Sequence, residues 1–388
     1  MRRAAGVAAL VLALIAGAAG PATAAEPVVT AEGAVLWDPA DDRILWGKAP
    51  RLALRPASTT KIMTVLLALE AGAIDETVTV SQEAFDTAQS PGAATLGLRV
   101  GQTLQMRSLL AALLLRSGND AAVAIAEHVA GTEAAFVEKM NARAAELGMD
   151  DTQFINASGL TDDLDHHASA LDLAQLAELA MGDKRFAGWA SQSVLDVPSF
   201  GVLENRNLLL TRYEGADGVK TGYTALAGLC LVASAHRDGR RLFAVVLNAD
   251  DSTADGSFDD TAAIFDHGFA DFDRVEIADR GEEVVPYRWA GESVALEAAE
   301  PLARTVSSDA AARWRVRLDA AAQRPVAAGE QLGEAELLVR GKVVDATPLH
   351  AATAVDQPPT VSPPTAAGFA VQDALRSFAR VYEVQRDT

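Results

Sequence analysis

Pro56-Ala57-Ser58-Thr59-Thr60-Lys61-Ile62-Met63-Thr64 places a serine three residues before a lysine, at the point where a helical apolar pattern begins. Ile62, Val65, Leu66 and Leu69 recur at helical spacing, so Ser58 stands near a helix N-terminus and Lys61 lies one turn on. Residues i and i+3 share a helix face, which brings the amine within reach of the hydroxyl. Serine becomes a nucleophile only when a neighbouring base takes its proton. A lysine serves as that base when burial or a second cation lowers its pKa enough to leave the amine neutral. Taken alone, the pattern is equally that of a serine N-cap, so the rest of the chain has to decide.

Before this stretch, Met1-Arg2-Arg3, an apolar run over 4–19 and Pro21-Ala22-Thr23-Ala24-Ala25 describe a secretory signal peptide, cleaved after Ala24 or Ala25. Without Arg2 and Arg3 the balance is 31 basic against 53 acidic residues, a formal charge of −22. That argues against nucleic acid as a partner. Roughly 360 remaining residues suffice for two domains, one with a large core. Cys230 is the only cysteine and lies in an apolar run, so export brings no intramolecular disulfide. With no cysteine pair and no H-E-x-x-H, a zinc site has little support.

Short apolar runs at 34–38 and 43–47 around Pro39-Ala40-Asp41-Asp42 predict a β-hairpin. Helices follow at the Ser58 stretch, at 106–115 (apolar on most sides), at 121–129, from Thr132 to about 148, and at 171–181 behind a Ser169/Asp172 capping box. Residues 218–224, 229–236 and 241–248 are β-rich, with Asp238-Gly239 as a hairpin turn, and 257–269 returns to helix. Strands at both ends with helices between predict a mixed sheet whose first hairpin and last strands meet in space. From about 275 to 355 the alternation between turns predicts a small all-β domain. A Pro-rich linker at 358–364 precedes Val371, Ala374, Leu375, Phe378, Val381 and Tyr382, an apolar helical stripe opposite Gln372, Asp373, Arg376, Arg380 and Glu383. Such a helix docks on protein, dimerises, or lies in a membrane surface; the last is the expectation adopted. The chain thus divides into 1–24, 25–274, 275–356 and 357–388.

Two further stretches bear on Ser58. Ser117-Gly118-Asn119 occupies the break between two buried helices, and Lys220-Thr221-Gly222 opens a strand expected at a sheet edge. Each has a plainer reading: Ser-Gly-Asn shapes loops, and an edge-strand lysine discourages aggregation. In chain order, however, they form S-x-x-K, S-G-N and K-T-G, the signature set of penicillin-recognising serine enzymes. Residues 56–64, Leu115-Arg116-Ser117-Gly118-Asn119-Asp120-Ala121 and Asp217-Gly218-Val219-Lys220-Thr221-Gly222-Tyr223-Thr224 resemble the D-alanyl-D-alanine carboxypeptidases, the low-molecular-mass penicillin-binding proteins. Asn156-Ala157-Ser158-Gly159-Leu160 and Asn205-Arg206-Asn207-Leu208 also look like family segments, without an assigned role.

The resemblance implies an α/β domain of the penicillin-recognising transpeptidase and β-lactamase type, mostly antiparallel, followed by the small β domain and the amphipathic helix. It implies Ser58 as nucleophile, Lys61 as general base with Lys220 lowering its pKa, and Ser117 as a relay between the two lysines and the leaving amine. Asn119 would orient the substrate amide, Lys220 and Thr221 would hold its carboxylate, and Gly222 would let an extended peptide approach. Backbone N–H groups of Ser58 and Tyr223 would form the oxyanion hole. Neither metal nor organic cofactor is implied. The expected partners are peptidoglycan stem peptides and, as covalent inhibitors, β-lactams, with the protein periplasmic and held at the membrane by its tail. The rival readings are a β-lactamase, a D,D-endopeptidase and a non-catalytic cell-wall scaffold. His166-His167, after Asp162-Asp163-Leu164-Asp165, reads as a solvated loop, whose acids would matter only if one activated a deacylating water.

Overall fold

A computed structural model describes residues 26–90, 92–289, 292–318 and 326–354. The signal peptide and the linker with its amphipathic helix lie outside the described residues. The expected hairpin is β1 (Gly33–Asp38) with β2 (Arg43–Lys48). A 3-10 turn, Ala57–Thr60, feeds α1 (Lys61–Glu70). Short strands β3 (Thr77–Thr79) and β4 (Thr103–Gln105) pair around α2 (Gln82–Thr87). The apolar stretch is α3 (Met106–Arg116), buried on nearly every side, and α4 (Asn119–Ala130) restarts after Ser117 and Gly118. Thr132 caps α5 (Glu133–Glu146) by accepting from the Ala135 amide, and Ser169 caps α6 (Ala170–Gly182) by accepting from that of Asp172. The Asp172 carboxylate reaches instead to the Asp151 amide and the Thr152 hydroxyl, tying the preceding loop to the helix start.

Beyond α7 (Lys184–Ala190), the hairpin β5 (Val194–Val197) and β6 (Gly201–Glu204), and α8 (Leu209–Arg212) come three long strands. These are β7 (Ala216–Thr224), β8 (Gly228–Arg237) and β9 (Arg240–Ala249), followed by α9 (Gly256–Asp271). Asp238 (φ +48) and Gly239 (φ +79) form the turn between β8 and β9, the left-handed pair that an Asp-Gly hairpin requires.

The main sheet runs β2-β1-β9-β8-β7, so the first hairpin does meet the last strands. Every pairing in it is antiparallel, not mixed, because β1 enters beside β9 in the opposite sense and all other links are hairpins. Alternation sorts side chains onto two cores. Val35, Trp37, Cys230, Val232, Phe243, Val245 and Leu247 join the core built with α1, α3, α4 and α6. Their neighbours Ala34, Leu36, Leu231, Ala233, Leu242, Ala244 and Val246 face Ile264 and Phe265 of α9. A sheet covered on both faces explains why these strands read as continuous apolar runs. β7, at the open edge, presents Lys220-Thr221-Gly222 beside the 3-10 turn.

The second unit begins with β10 (Phe272–Ala278), which runs across the boundary expected at 274/275. It continues through β11 (Glu283–Trp289), β12 (Glu292–Ala298), β13 (Leu302–Ser307), β14 (Ala312–Leu318), β15 (Gln331–Val339) and β16 (Lys342–Ala351). β10 pairs with β13, and the remaining strands form a sheet in the order β11-β12-β16-β15-β14. Asp41, in the turn of the first hairpin, joins the two units. Its buried carboxylate accepts from the Thr305 amide (2.7 Å) and from Arg274 (3.0 Å), with Arg43 and Arg304 within 4 Å.

Candidate active site

Ser58 does not cap α1: the residues around it form a tight turn in which Ala57 takes φ +46, and the Thr60 hydroxyl is drawn sideways to His166. Two glycines allow that turn to be held from opposite sides. A Cβ on Gly222 of β7 would lie 2.9 Å from the Pro56 carbonyl and 3.1 Å from the Ser58 amide nitrogen. A Cβ on Gly159, itself at φ +75, would lie 1.8 Å from the Ala57 carbonyl oxygen. Gly222 is therefore required for packing against the nucleophile turn, a constraint separate from the peptide approach expected of it.

Lys61 is fully buried, and its Nζ lies 2.7 Å from Ser58 Oγ, 2.7 Å from Asn119 Oδ1 and 2.5 Å from the Ser158 carbonyl oxygen. Burial holds its pKa well below the usual 10.5, the charges of Lys220 and Arg206 lower it further, and Asp120 opposes them. A neutral amine has two N–H donors and one lone pair. The Asn119 and Ser158 oxygens, being carbonyls, only accept, so they take both donors. In the neutral form the lone pair is left for Ser58, whose Oγ lies 2.7 Å away. This arrangement prepares the proton transfer that turns Ser58 into a nucleophile.

Lys220 is also buried; desolvation and then Arg206 pull it from 10.5 to about 7, and its Nζ donates to the Thr221 carbonyl at 3.0 Å. Ser117, the left-handed residue (φ +67) closing α3, has a buried hydroxyl with no partner among the described residues. Among the described residues the Ser117 hydroxyl bonds to neither lysine, and Lys61 Nζ is met instead by Ser58, Asn119 and the Ser158 carbonyl. Asn119 correspondingly spends its carbonyl on Lys61 and keeps only its amide N–H groups for a substrate. The buried Asp120 carboxylate fixes this corner by accepting from the Thr95 hydroxyl and the amides of Leu96 and Leu98.

Ser58, Ser117, Asn119, Thr221, Gly222 and Tyr223 line one cleft of about 170 Å³. Lys61 and Lys220 lie behind its wall. Among its lining residues none is acidic and Arg206 is the sole cation. The acids at 162–165 are exposed and do not line it. Ser158 and Arg206 received no role from the sequence, although the stretches carrying them stood out. His166 is a correction: it is buried, not solvated. Its Nδ1 accepts from the Ile155 amide at 3.0 Å, so the proton sits on Nε2, 2.8 Å from Thr60 Oγ1. Desolvation lowers its pKa to about 4, which keeps it neutral and fixes the loop against the Ser58 turn.

Comparison with known proteins identifies the family. The family model described as D-alanyl-D-alanine carboxypeptidase matches residues 21–251. D-alanyl-D-alanine carboxypeptidase DacF of Bacillus subtilis is 32% identical over 334 residues, 83% of this chain and 85% of that protein. The DacD carboxypeptidase of Escherichia coli is 33% identical over 337 residues, covering 83% and 86%. Among solved structures, penicillin binding protein 5 from Haemophilus influenzae superposes with a TM-score of 0.70 at 30% identity, over 86% of this chain and 99% of that one. Penicillin binding protein 6B from Escherichia coli gives 0.69 at 30% identity, over 84% and 97%. The mixed α/β fold, the second β-rich unit and the serine chemistry all follow one pattern: this chain belongs to the D-alanyl-D-alanine carboxypeptidase family of serine peptidases.

Proposed function

We propose that Ser58 attacks the carbonyl carbon of the penultimate D-alanine of a peptidoglycan stem, releasing the terminal D-alanine. The observation that carries this reading is the Lys61 amine, buried and anchored by two carbonyl oxygens, 2.7 Å from Ser58 Oγ. As the C–O bond forms, the hydroxyl proton passes to Lys61 Nζ. The C–N bond to the terminal residue then breaks, and the leaving amine takes a proton across Ser117, whose unpartnered hydroxyl lines the cleft. Water cleaves the ester and regenerates Ser58. Lys220, Thr221 and Arg206 hold the substrate carboxylate, Asn119 donates to its amide, and Gly222 leaves the strand edge clear beside Tyr223. Backbone N–H groups of Ser58 and Tyr223 stabilise the oxyanion. No cofactor enters any step.

β-Lactams acylate the same serine. A cleft without a lining carboxylate supports a slow ester hydrolysis and sets a carboxypeptidase apart from a β-lactamase. Residues 25–274 act as the peptidase domain and 275–356 as a separate β unit. The first 24 residues direct export, and the amphipathic segment after the 358–364 linker holds the protein to the outer face of the inner membrane. No helix among the described residues is long and apolar enough to cross a membrane.

Incubation with a peptide ending in D-alanyl-D-alanine tests the reaction: wild type releases free D-alanine and Ser58→Ala does not. Equal release by both proteins overturns the assignment. Truncation before Pro358 tests the tail, since the shortened protein leaves the membrane fraction with its activity on soluble peptide intact; unchanged sedimentation removes the anchor.

A further inference from the structure

Lys61 takes one of its two carbonyl anchors from Ser158, and the segment that presents Ser158 is held from behind by α1 and α5. Thr64, one turn past Lys61 on α1, donates its hydroxyl to the Ala157 carbonyl at 2.6 Å. Glu133, in the first turn of α5, accepts from the Ala157 amide at 2.8 Å. Farther along α5, Asn141 accepts from the Phe154 amide and donates to the Phe154 carbonyl, both at 2.8 Å. Asn156 gathers the amides of Ser158 (3.1 Å) and Gly159 (2.6 Å) on its own side-chain oxygen. Among the described residues no side chain of α5 lines the cleft.

Ala157 is thus gripped on both sides of its Cα, and the Ser158 carbonyl lies one peptide further on. Ala157 is fully buried, so its N–H, once deprived of the Glu133 acceptor, has no water to turn to. The peptide then rotates to find another partner, and the Ser158 carbonyl turns with it, away from Lys61. A charge serving only the helix start would sit better elsewhere. Burial pushes the Glu133 carboxyl up from its usual range and the nearby Glu83 and Glu127 add to this, while the Ala157 hydrogen bond opposes both. The contact with Ala157 offsets what the position otherwise costs the carboxylate.

We infer that Glu133 is a positioning residue for the peptidase reaction: through the Ala157 amide it fixes the Ser158 carbonyl, and with it the direction in which the Lys61 amine faces Ser58. This rests on the carboxypeptidase reading, in which Lys61 takes the Ser58 proton. The site requires of residue 133 a hydrogen-bond acceptor at the reach of a glutamate side chain. The negative charge at the start of α5 is incidental to that role.

Glu133→Asp and Glu133→Gln separate reach from charge. Aspartate keeps the charge but draws the acceptor back by about one bond length, roughly 1.5 Å. Glutamine keeps an oxygen in place and drops the charge. With a fluorescent penicillin at saturation, Glu133→Asp is expected to acylate about tenfold more slowly. A misplacement of about 1 Å costs on the order of 100-fold, and the loop follows the acceptor only in part. The half-saturating drug concentration stays within about twofold of wild type, because the groups that hold the drug carboxylate are untouched. Glu133→Gln acylates within about threefold of wild type, since its oxygen still meets the Ala157 amide. Equal rates in the two variants, fast or slow, or a slower Glu133→Gln, overturn the positioning role while leaving the peptidase intact. A loss in Glu133→Asp confined to the half-saturating concentration overturns it too. Failure of wild type to release D-alanine from a peptide ending in D-alanyl-D-alanine overturns the carboxypeptidase reading itself, and this role with it.

Discussion

Gly159→Ala tests how tightly the nucleophile is held. The added Cβ would sit 1.8 Å from the Ala57 carbonyl oxygen, 2.5 Å from its carbon and 2.7 Å from Thr60 Oγ1. Reaching even 3.0 Å from that oxygen requires the loop to retreat by at least about 1.2 Å. Ser158 is the adjacent residue, so its carbonyl retreats too and its 2.5 Å hydrogen bond to Lys61 is stretched beyond hydrogen-bonding range. The amine then has one anchor in place of two, and its lone pair is no longer aimed at Ser58. A misplacement of about 1 Å in a reacting group costs on the order of 100-fold. The left-handed backbone adds about 1–2 kcal/mol of strain for alanine, and overpacking another 1–3 kcal/mol or so. The expected outcome is a roughly 100-fold slower acylation by a fluorescent penicillin, with stability lower by about 2–5 kcal/mol in a denaturant melt. Gly148→Ala is the control: its φ is +69 with open space around it, so strain appears without a clash and the acylation rate is unchanged. Acylation by Gly159→Ala within threefold of wild type, or an equal loss in Gly148→Ala, would refute the argument.

Three further outcomes are expected. Lys220 binds the substrate carboxylate as a cation and has a pKa of about 7, so kcat/KM falls as pH rises past about 7; Lys220→Arg moves that alkaline limb out of range, and a profile identical in both proteins contradicts the role. His166 is neutral in the fold with a pKa of about 4 against an ordinary 6.5, so the unfolded chain binds the extra proton first and stability drops as pH falls from 6.5 towards 4, by up to about 3 kcal/mol; a melting temperature with the same pH slope in His166→Gln excludes this. Asp41→Ala removes the buried acceptor for Arg274 and the Thr305 amide and costs about 3–5 kcal/mol, while D-alanine release at 25 °C persists; a melt indistinguishable from wild type shows the junction to be held elsewhere.

Much of the fold was legible because its signals are local. The β8–β9 turn is written in Asp238-Gly239, the starts of α5 and α6 in Thr132 and Ser169, and the burial of α3 in its all-round apolar surface. The three motifs proposed to carry the chemistry stood out because their spacing along the chain brings serine and lysine within reach of each other. What escaped depends on contacts between distant segments. The second anchor of Lys61 is a backbone carbonyl, Ser158 O, and any residue type supplies one. The burial of His166 is decided by Thr60 and Ile155, residues that its polar neighbours do not disclose. Gly222 looked like an opening for substrate, and only the approach of β7 to the 3-10 turn reveals the constraint on it. Asp41 read as an ordinary turn acid because its partners lie more than 200 positions away.

Gly159 and Gly222 pinch the Ser58 turn from its two flanks, and this narrows the routes by which drug resistance can evolve here. Escape from β-lactams by nudging the attacked oxygen is closed at both positions, since any larger residue collides with main-chain atoms that also position the hydroxyl for the natural peptide. Selection is left with the far wall of the cleft, around the side chains of Tyr223, Ala254, Ser257 and Phe258.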